Sequence, residues 1–142
     1  MLNSKILLNS FQFVNKELSY SMSPLNKLIR YKIISINEII YGILLFEKYC
    51  YFSKNLQEIQ KNISYFVYIA IYIAHKVLND NYFSIKYFIN ILYIDKFFFK
   101  KLEMHFLKKI SYETNINLQE LLFGYNILSS FYKESFKIRT LN

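Results

Sequence analysis

The chain has 142 residues, of which 54% are hydrophobic and 20% charged, with a formal net charge of +8. That length suits one domain with a substantial core, and two glycines and one proline argue against a strand-and-turn protein, so an all-α fold is expected. A lone cysteine, Cys50, excludes an internal disulfide and suits a reducing compartment.

Leu7, Phe11, Val14 and Leu18 recur at helical spacing, so residues 1–23 are expected to form a flanking N-terminal helix packed on the domain. The opening Met1 to Leu8 holds a short apolar run with no small-residue cleavage site after it, unlike a secretory signal. Ser21-Met22-Ser23-Pro24 marks the next boundary, with serines suited to capping and proline at a first-turn position. A short helix follows, with Leu25, Leu28 and Ile29 on one face, running out near Ile33. Ser35 then caps a longer helix to about Phe52, with Ile36, Ile39, Ile40, Ile43 and Leu44 inward and Glu38 in the first turn, where the macrodipole favours a carboxylate.

Ser53-Lys54-Asn55 breaks this pattern, and the polar stretch through Lys61 reads as a connection. Asn62 to His75 carries no charge, yet at roughly a dozen residues it falls well short of the ~20 that a membrane span needs. It reads as a buried helix ending near Leu78, where Asn79-Asp80-Asn81 competes for the backbone. The apolar segment Tyr82 to Ile94 leads to Asp95, the expected cap of a helix from Lys96 to about Lys109 with Phe99, Leu102, Phe106 and Ile110 as its stripe. Ser111 to Asn117 reads as a loop, and a last helix starts near Leu118 with Leu121, Leu122, Tyr125 and Leu128 buried. The charged tail after Tyr132 is expected to fray.

Lys76 and Glu103 stand out because each has apolar residues three or four positions away on its own helix, so each charge points where solvent is scarce and needs a partner. An internal salt bridge, or a lysine stem lying on the core with its amine in water, would satisfy that need within the chain. Cys50, His75 and His105 read as structural residues, with no cluster at metal-ligand spacing around them. No phosphate-binding loop, nucleophile elbow or Cys/His pair is present. The expectation is a protein that is not an enzyme and has no catalytic residue, metal or cofactor.

Several blocks are similar to the P-type (Pho-type) cyclins. Lys27-Leu28-Ile29-Arg30-Tyr31 with Ser35 resembles the opening Arg-Ile-x-Lys-Tyr…Ser of that cyclin box, and Leu45-Phe46-Glu47-Lys48-Tyr49 resembles its Tyr-Leu-Asp-Arg-Leu. Ala70, Ala74 and Lys76 follow its Ala-x-x-x-Ala-x-Lys. Lys76-Val77-Leu78-Asn79-Asp80-Asn81-Tyr82 resembles its Lys-Phe-Leu-Asp-Asp-x-Tyr, Leu102-Glu103 its Leu-Glu, and Ser111 to Ile116 its Asp-Phe-x-Leu-Asn-Val. Order and spacing agree over roughly residues 24 to 125. The chain departs from the pattern at Leu92-Tyr93, where the class has Gly-Gly, at Ser64-Tyr65 for His-Arg, and at Thr114 for an apolar residue.

The resemblance implies a single cyclin box of five core helices over residues 24–133, the extra N-terminal helix before it and a charged tail at 134–142. It implies that Lys76 and Glu103, with Tyr112 beside them, bind the mobile αC helix of a cyclin-dependent Ser/Thr kinase, and that Lys27 and Glu47 form an internal ion pair. The expected setting is intracellular, in nucleus or cytoplasm. The cyclin-type fold also occurs in general transcription factors such as transcription factor IIB, and a basic surface favours phosphate. Lys96, Lys100, Lys101, Lys108 and Lys109, however, read as helix-solubilising residues, so nucleic acid is not the expected partner; an adaptor that keeps the box without binding a kinase is the other alternative.

Overall fold

The computed structural model describes the backbone of residues 4–141 and the side-chain surroundings of residues 8–130. Among the described residues there are eight helices and no strand: α1 (Ser4–Ser19), α2 (Pro24–Arg30), α3 (Ile36–Phe52), α4 (Leu56–Lys61), α5 (Ile63–Leu78), α6 (Ile85–Leu92), α7 (Lys96–Lys109) and α8 (Leu118–Leu141). None is long and apolar enough to cross a membrane.

The helix starts follow from local chemistry. Ser23 accepts the Asn26 N–H at 3.2 Å with Pro24 in the first turn of α2. Ser35 and Glu38 form a reciprocal capping box at the head of α3. Asp95 accepts the Phe98 N–H at 3.0 Å to open α7, and Asn117 accepts the Glu120 N–H at 2.8 Å before α8.

Helices α3 and α5 form the centre. Both are buried nearly all round, from Glu38 to Glu47 on α3 and from Val67 to His75 on α5, which is the pattern of helices covered on every side. They meet closely where Gly42 faces Ile71; a Cβ at Gly42 would lie 2.8 Å from the Ile71 Cα. α1 and α8 pack on α3, α7 packs on α5, and α2 packs on α1 and α6. α1 docks through Phe11 and Val14, both fully buried; Leu7 lies outside the residues whose side chains are described.

Four details differ from the expectations. The 53–61 connection contains a helical turn, α4, because Asn55 caps Glu58 and Ile59 anchors the segment in the core. The segment after Tyr82 contains a true helix, α6, whose single fully buried residue is Phe88. Leu122 faces outward, as α8 rests instead on Leu128 and on Gly124, which lies against Ile40. Residues 134–141 continue α8 instead of forming a separate tail; their side chains are outside the described set.

Candidate partner-binding site

Lys76 sits in the last turn of α5 and Glu103 in the middle of α7. α7 buries Phe99 and Phe106: the Phe99 ring meets Tyr72 of α5 at 5.3 Å and the Phe106 ring stacks on Tyr49 of α3 at 4.6 Å. The packing of α7 on α5 brings the Lys76 ammonium directly onto Glu103 Oε2, and the two side chains keep 28% and 15% of their exposure. The ammonium also lies 4.8 Å from the centre of the Tyr72 ring, a cation–π distance. Burial, then the Glu103 charge, pushes the Tyr72 phenol up to about 12. Glu103 Oε2 is shielded from solvent and has no hydrogen bond among the described residues; the Lys76 ammonium is its counter-charge. The two charges expected to need partners thus meet each other.

Tyr112 joins the same region. Ser111 and Tyr112 are consecutive left-handed residues, with φ of 55° and 59°, a conformation costing roughly 1–2 kcal/mol per non-glycine residue. The turn is held by the Tyr112 N–H donating to the Leu107 carbonyl at 2.8 Å, and by two tethers to α3: Lys48 Nζ donates to the Glu113 carbonyl at 2.9 Å and the Tyr41 hydroxyl to the Thr114 carbonyl at 2.5 Å. The Tyr112 side chain stays exposed, with its hydroxyl 3.7 Å from Sδ of Met104, the residue after Glu103. Strain held in place by surrounding contacts is a pattern of binding and switch sites. Lys76 and Glu103 thus meet directly, and Tyr112 reaches the residue that follows Glu103 on α7. Tyr41 and Lys48, which position the loop, carry no signal in the sequence because their acceptors are backbone carbonyls about 70 residues away.

α2 packs against α1 and α6; Lys27, expected to pair with Glu47, is half-buried on that helix, while Glu47 is buried in α3 with interactions of its own.

A second polar cluster went unread in the sequence. Glu38, His75 and Asn79 meet where the head of α3 faces the end of α5. His75 Nδ1 contacts Glu38 Oε1 directly, Asn79 Nδ2 donates to the same oxygen at 2.8 Å, and the Phe83 N–H donates to His75 Nε2 at 2.9 Å. His75 is structural, as expected, but its partner lies 37 residues away. The available signal was a histidine at the end of a stretch without charge, one residue before Lys76, together with a carboxylate at the inward-facing third position of the capped helix α3.

Among the described residues no group of His, Cys, Asp and Glu could hold a metal ion. Compared with family models, curated proteins and solved structures, the chain matches none.

Proposed function

We propose that this chain is a cyclin-like regulatory subunit that binds a cyclin-dependent protein kinase and fixes the kinase's αC helix in its active orientation. The observation that carries this reading is the Lys76–Glu103 pair at the half-open crossing of α5 and α7, in a chain whose blocks resemble a P-type cyclin box over roughly residues 24 to 125. An ammonium has three donors and a carboxylate about four acceptor sites. After pairing, both groups keep capacity for the free backbone carbonyls or N–H groups at the end of a partner helix. Val77, Met104 and Tyr112, all exposed, supply apolar and aromatic area around the charges, the arrangement in which a few anchors carry most of the affinity.

A kinase requires its β3 lysine paired with the αC glutamate before ATP is positioned. A subunit that binds the active orientation about 10⁴-fold better than the inactive one converts a mostly inactive kinase into a mostly active one. No chemistry on this chain is needed.

A second reading, a cyclin-fold adaptor that activates no kinase, is favoured by the same pair, since each charge already has a partner. Exchanging the charges separates the two. In Lys76→Glu combined with Glu103→Lys the internal pair is restored with reversed polarity, so helicity and melting temperature are expected to stay near those of the parent while stimulation of a cyclin-dependent kinase is lost. The measurement adds parent and exchanged chain to each such kinase of the source organism and reads phosphorylation of a generic substrate. Stimulation by neither, with the parent folded, would overturn the kinase reading in favour of the adaptor, and equal stimulation by both would remove the Lys76–Glu103 charges from the kinase contact.

A further inference from the structure

The hydrogen bonds around His75 fix its protonation pattern by geometry. The Phe83 N–H, 2.9 Å from Nε2, is an obligate donor, so Nε2 must accept and the ring proton of neutral His75 resides on Nδ1, pointed at Glu38 Oε1. Glu38 receives donors on both oxygens: His75 and Asn79 on Oε1, and the Ser35 N–H on Oε2. Asn79 also donates to the His75 carbonyl at 2.8 Å, closing the end of α5. One network thus ties the cap of α3, the last turn of α5 and the 79–84 loop together, with His75 2% and Glu38 6% exposed.

We infer that His75 is a positioning residue for the Lys76–Glu103 surface and a proton-operated latch on the 79–84 loop. Histidine is the side chain that ordinarily changes charge near neutral pH. A proton taken up from solvent at Nε2 places a ring N–H against the Phe83 N–H, two donors facing each other, so that hydrogen bond is lost. The Nδ1 side is unaffected, because an imidazolium still donates to the Glu38 carboxylate. Protonation therefore frees the loop without dismantling the α3–α5 contact. The segment released begins three residues after Lys76 and carries the exposed rings of Tyr82 and Phe83, so it borders the surface assigned above to the kinase. In this respect the inference rests on that reading.

Among the described contacts, Glu38 is the only ionisable group touching the ring. The ring's other neighbours are the Asn79 amide nitrogen, 3.3 Å from Nδ1, and the rings of Phe83 at 6.0 Å from the loop and Phe88 at 5.5 Å from α6. Tyr41 of α3 and Tyr125 of α8 line an open cavity that reaches Glu38 and Asn79, on the Nδ1 side of the ring. Lys76 is engaged with Glu103 of α7, and Asp80 in the loop is exposed.

The test uses nuclear magnetic resonance on the full chain. The ¹⁵N shifts of the His75 ring and the protection factor of the Phe83 amide, corrected for intrinsic exchange, are followed from pH 8 to pH 5. Phe83 protection is expected to fall at least tenfold in step with His75 protonation, while Ile43 in α3 keeps its own. His75→Gln, which retains an acceptor and does not titrate, is expected to keep Phe83 protected throughout. Flat Phe83 protection in the parent, or an equal fall in the Gln variant, overturns the latch; the parent result alone decides this if the variant does not fold. Kinase affinity that weakens tenfold over the same range in the parent and not in His75→Gln supports the positioning role. Affinity independent of pH in the parent overturns that role. If no kinase binds at all, the functional reading fails while the amide exchange still judges the latch.

Discussion

Gly42 shows how one missing atom sets the distance between the two central helices. Its absent Cβ would sit 2.8 Å from the Cα and 2.9 Å from the N of Ile71, both backbone atoms of α5. Alanine is the better helix former by about 1 kcal/mol, yet here it forces α3 and α5 apart, and overpacking of this kind costs typically ~1–3 kcal/mol. Gly42→Ala is therefore expected to lower stability in a urea titration. At Gly124 the only atom closer than 3 Å is the Ile40 Cγ2, a methyl on a side chain that is stiff at χ1 but can shift more readily than the backbone of a neighbouring helix, so Gly124→Ala is expected to cost less. Equal losses at the two positions would refute the contrast. At this same scale, Lys76 and Glu103 are legible in the sequence because a charge within an apolar stripe is anomalous by its neighbours alone. Their contact with each other is not, since it depends on the crossing of α5 and α7. His75 and Glu38 are harder still: a carboxylate at the third position of a capped helix is ordinary, and its second partner across the core leaves no local trace.

At the scale of elements, the strongly periodic helices are readable and the short ones are not. α3 and α5 announce themselves through long stretches without charge. α4 is six residues long with one buried anchor, Ile59, too little for a pattern to emerge from polar neighbours. α6 is obscured by aromatic residues on both its buried and its exposed sides. Its end is unusual: Tyr93 adopts the left-handed conformation, φ 55° and ψ 45°, as the C-terminal cap, while its side chain is 86% exposed. The backbone at Tyr93 adopts the shape that glycine favours. Tyr93→Gly is thus expected to relieve strain of roughly 1 kcal/mol without losing buried area, raising the melting temperature by several degrees. A melting temperature that falls would mean that the Tyr93 side chain makes contacts outweighing the strain.

For the whole molecule, the density of tyrosine and the buried thiol make stability depend on alkaline pH. Burial pushes the Cys50 thiol from its ordinary value of 9.0 up to about 12, and Tyr72 rises from 10.0 to about 12. Tyr41, Tyr49 and Tyr68 are raised too, in each case chiefly by burial. These groups are neutral in the acid form, so folding holds their protons more tightly than the unfolded chain does. Between about pH 9 and about pH 12 the unfolded chain therefore releases protons that the folded chain keeps, and stability falls as pH rises through that window. Well below pH 9 both states are protonated at these positions and they contribute no slope. The urea midpoint of the chain is expected to be lower at pH 10.5 than at pH 8.5. Tyr72→Phe, which keeps the ring packing on Phe88 and Phe99 but cannot ionise, is expected to reduce the difference. An unchanged midpoint between the two pH values would mean that the core admits enough water to ionise these groups while folded. Slow alkylation of Cys50 at pH 8.5 in the native chain, with fast alkylation in urea, reports the same exclusion of water independently, because only the thiolate reacts.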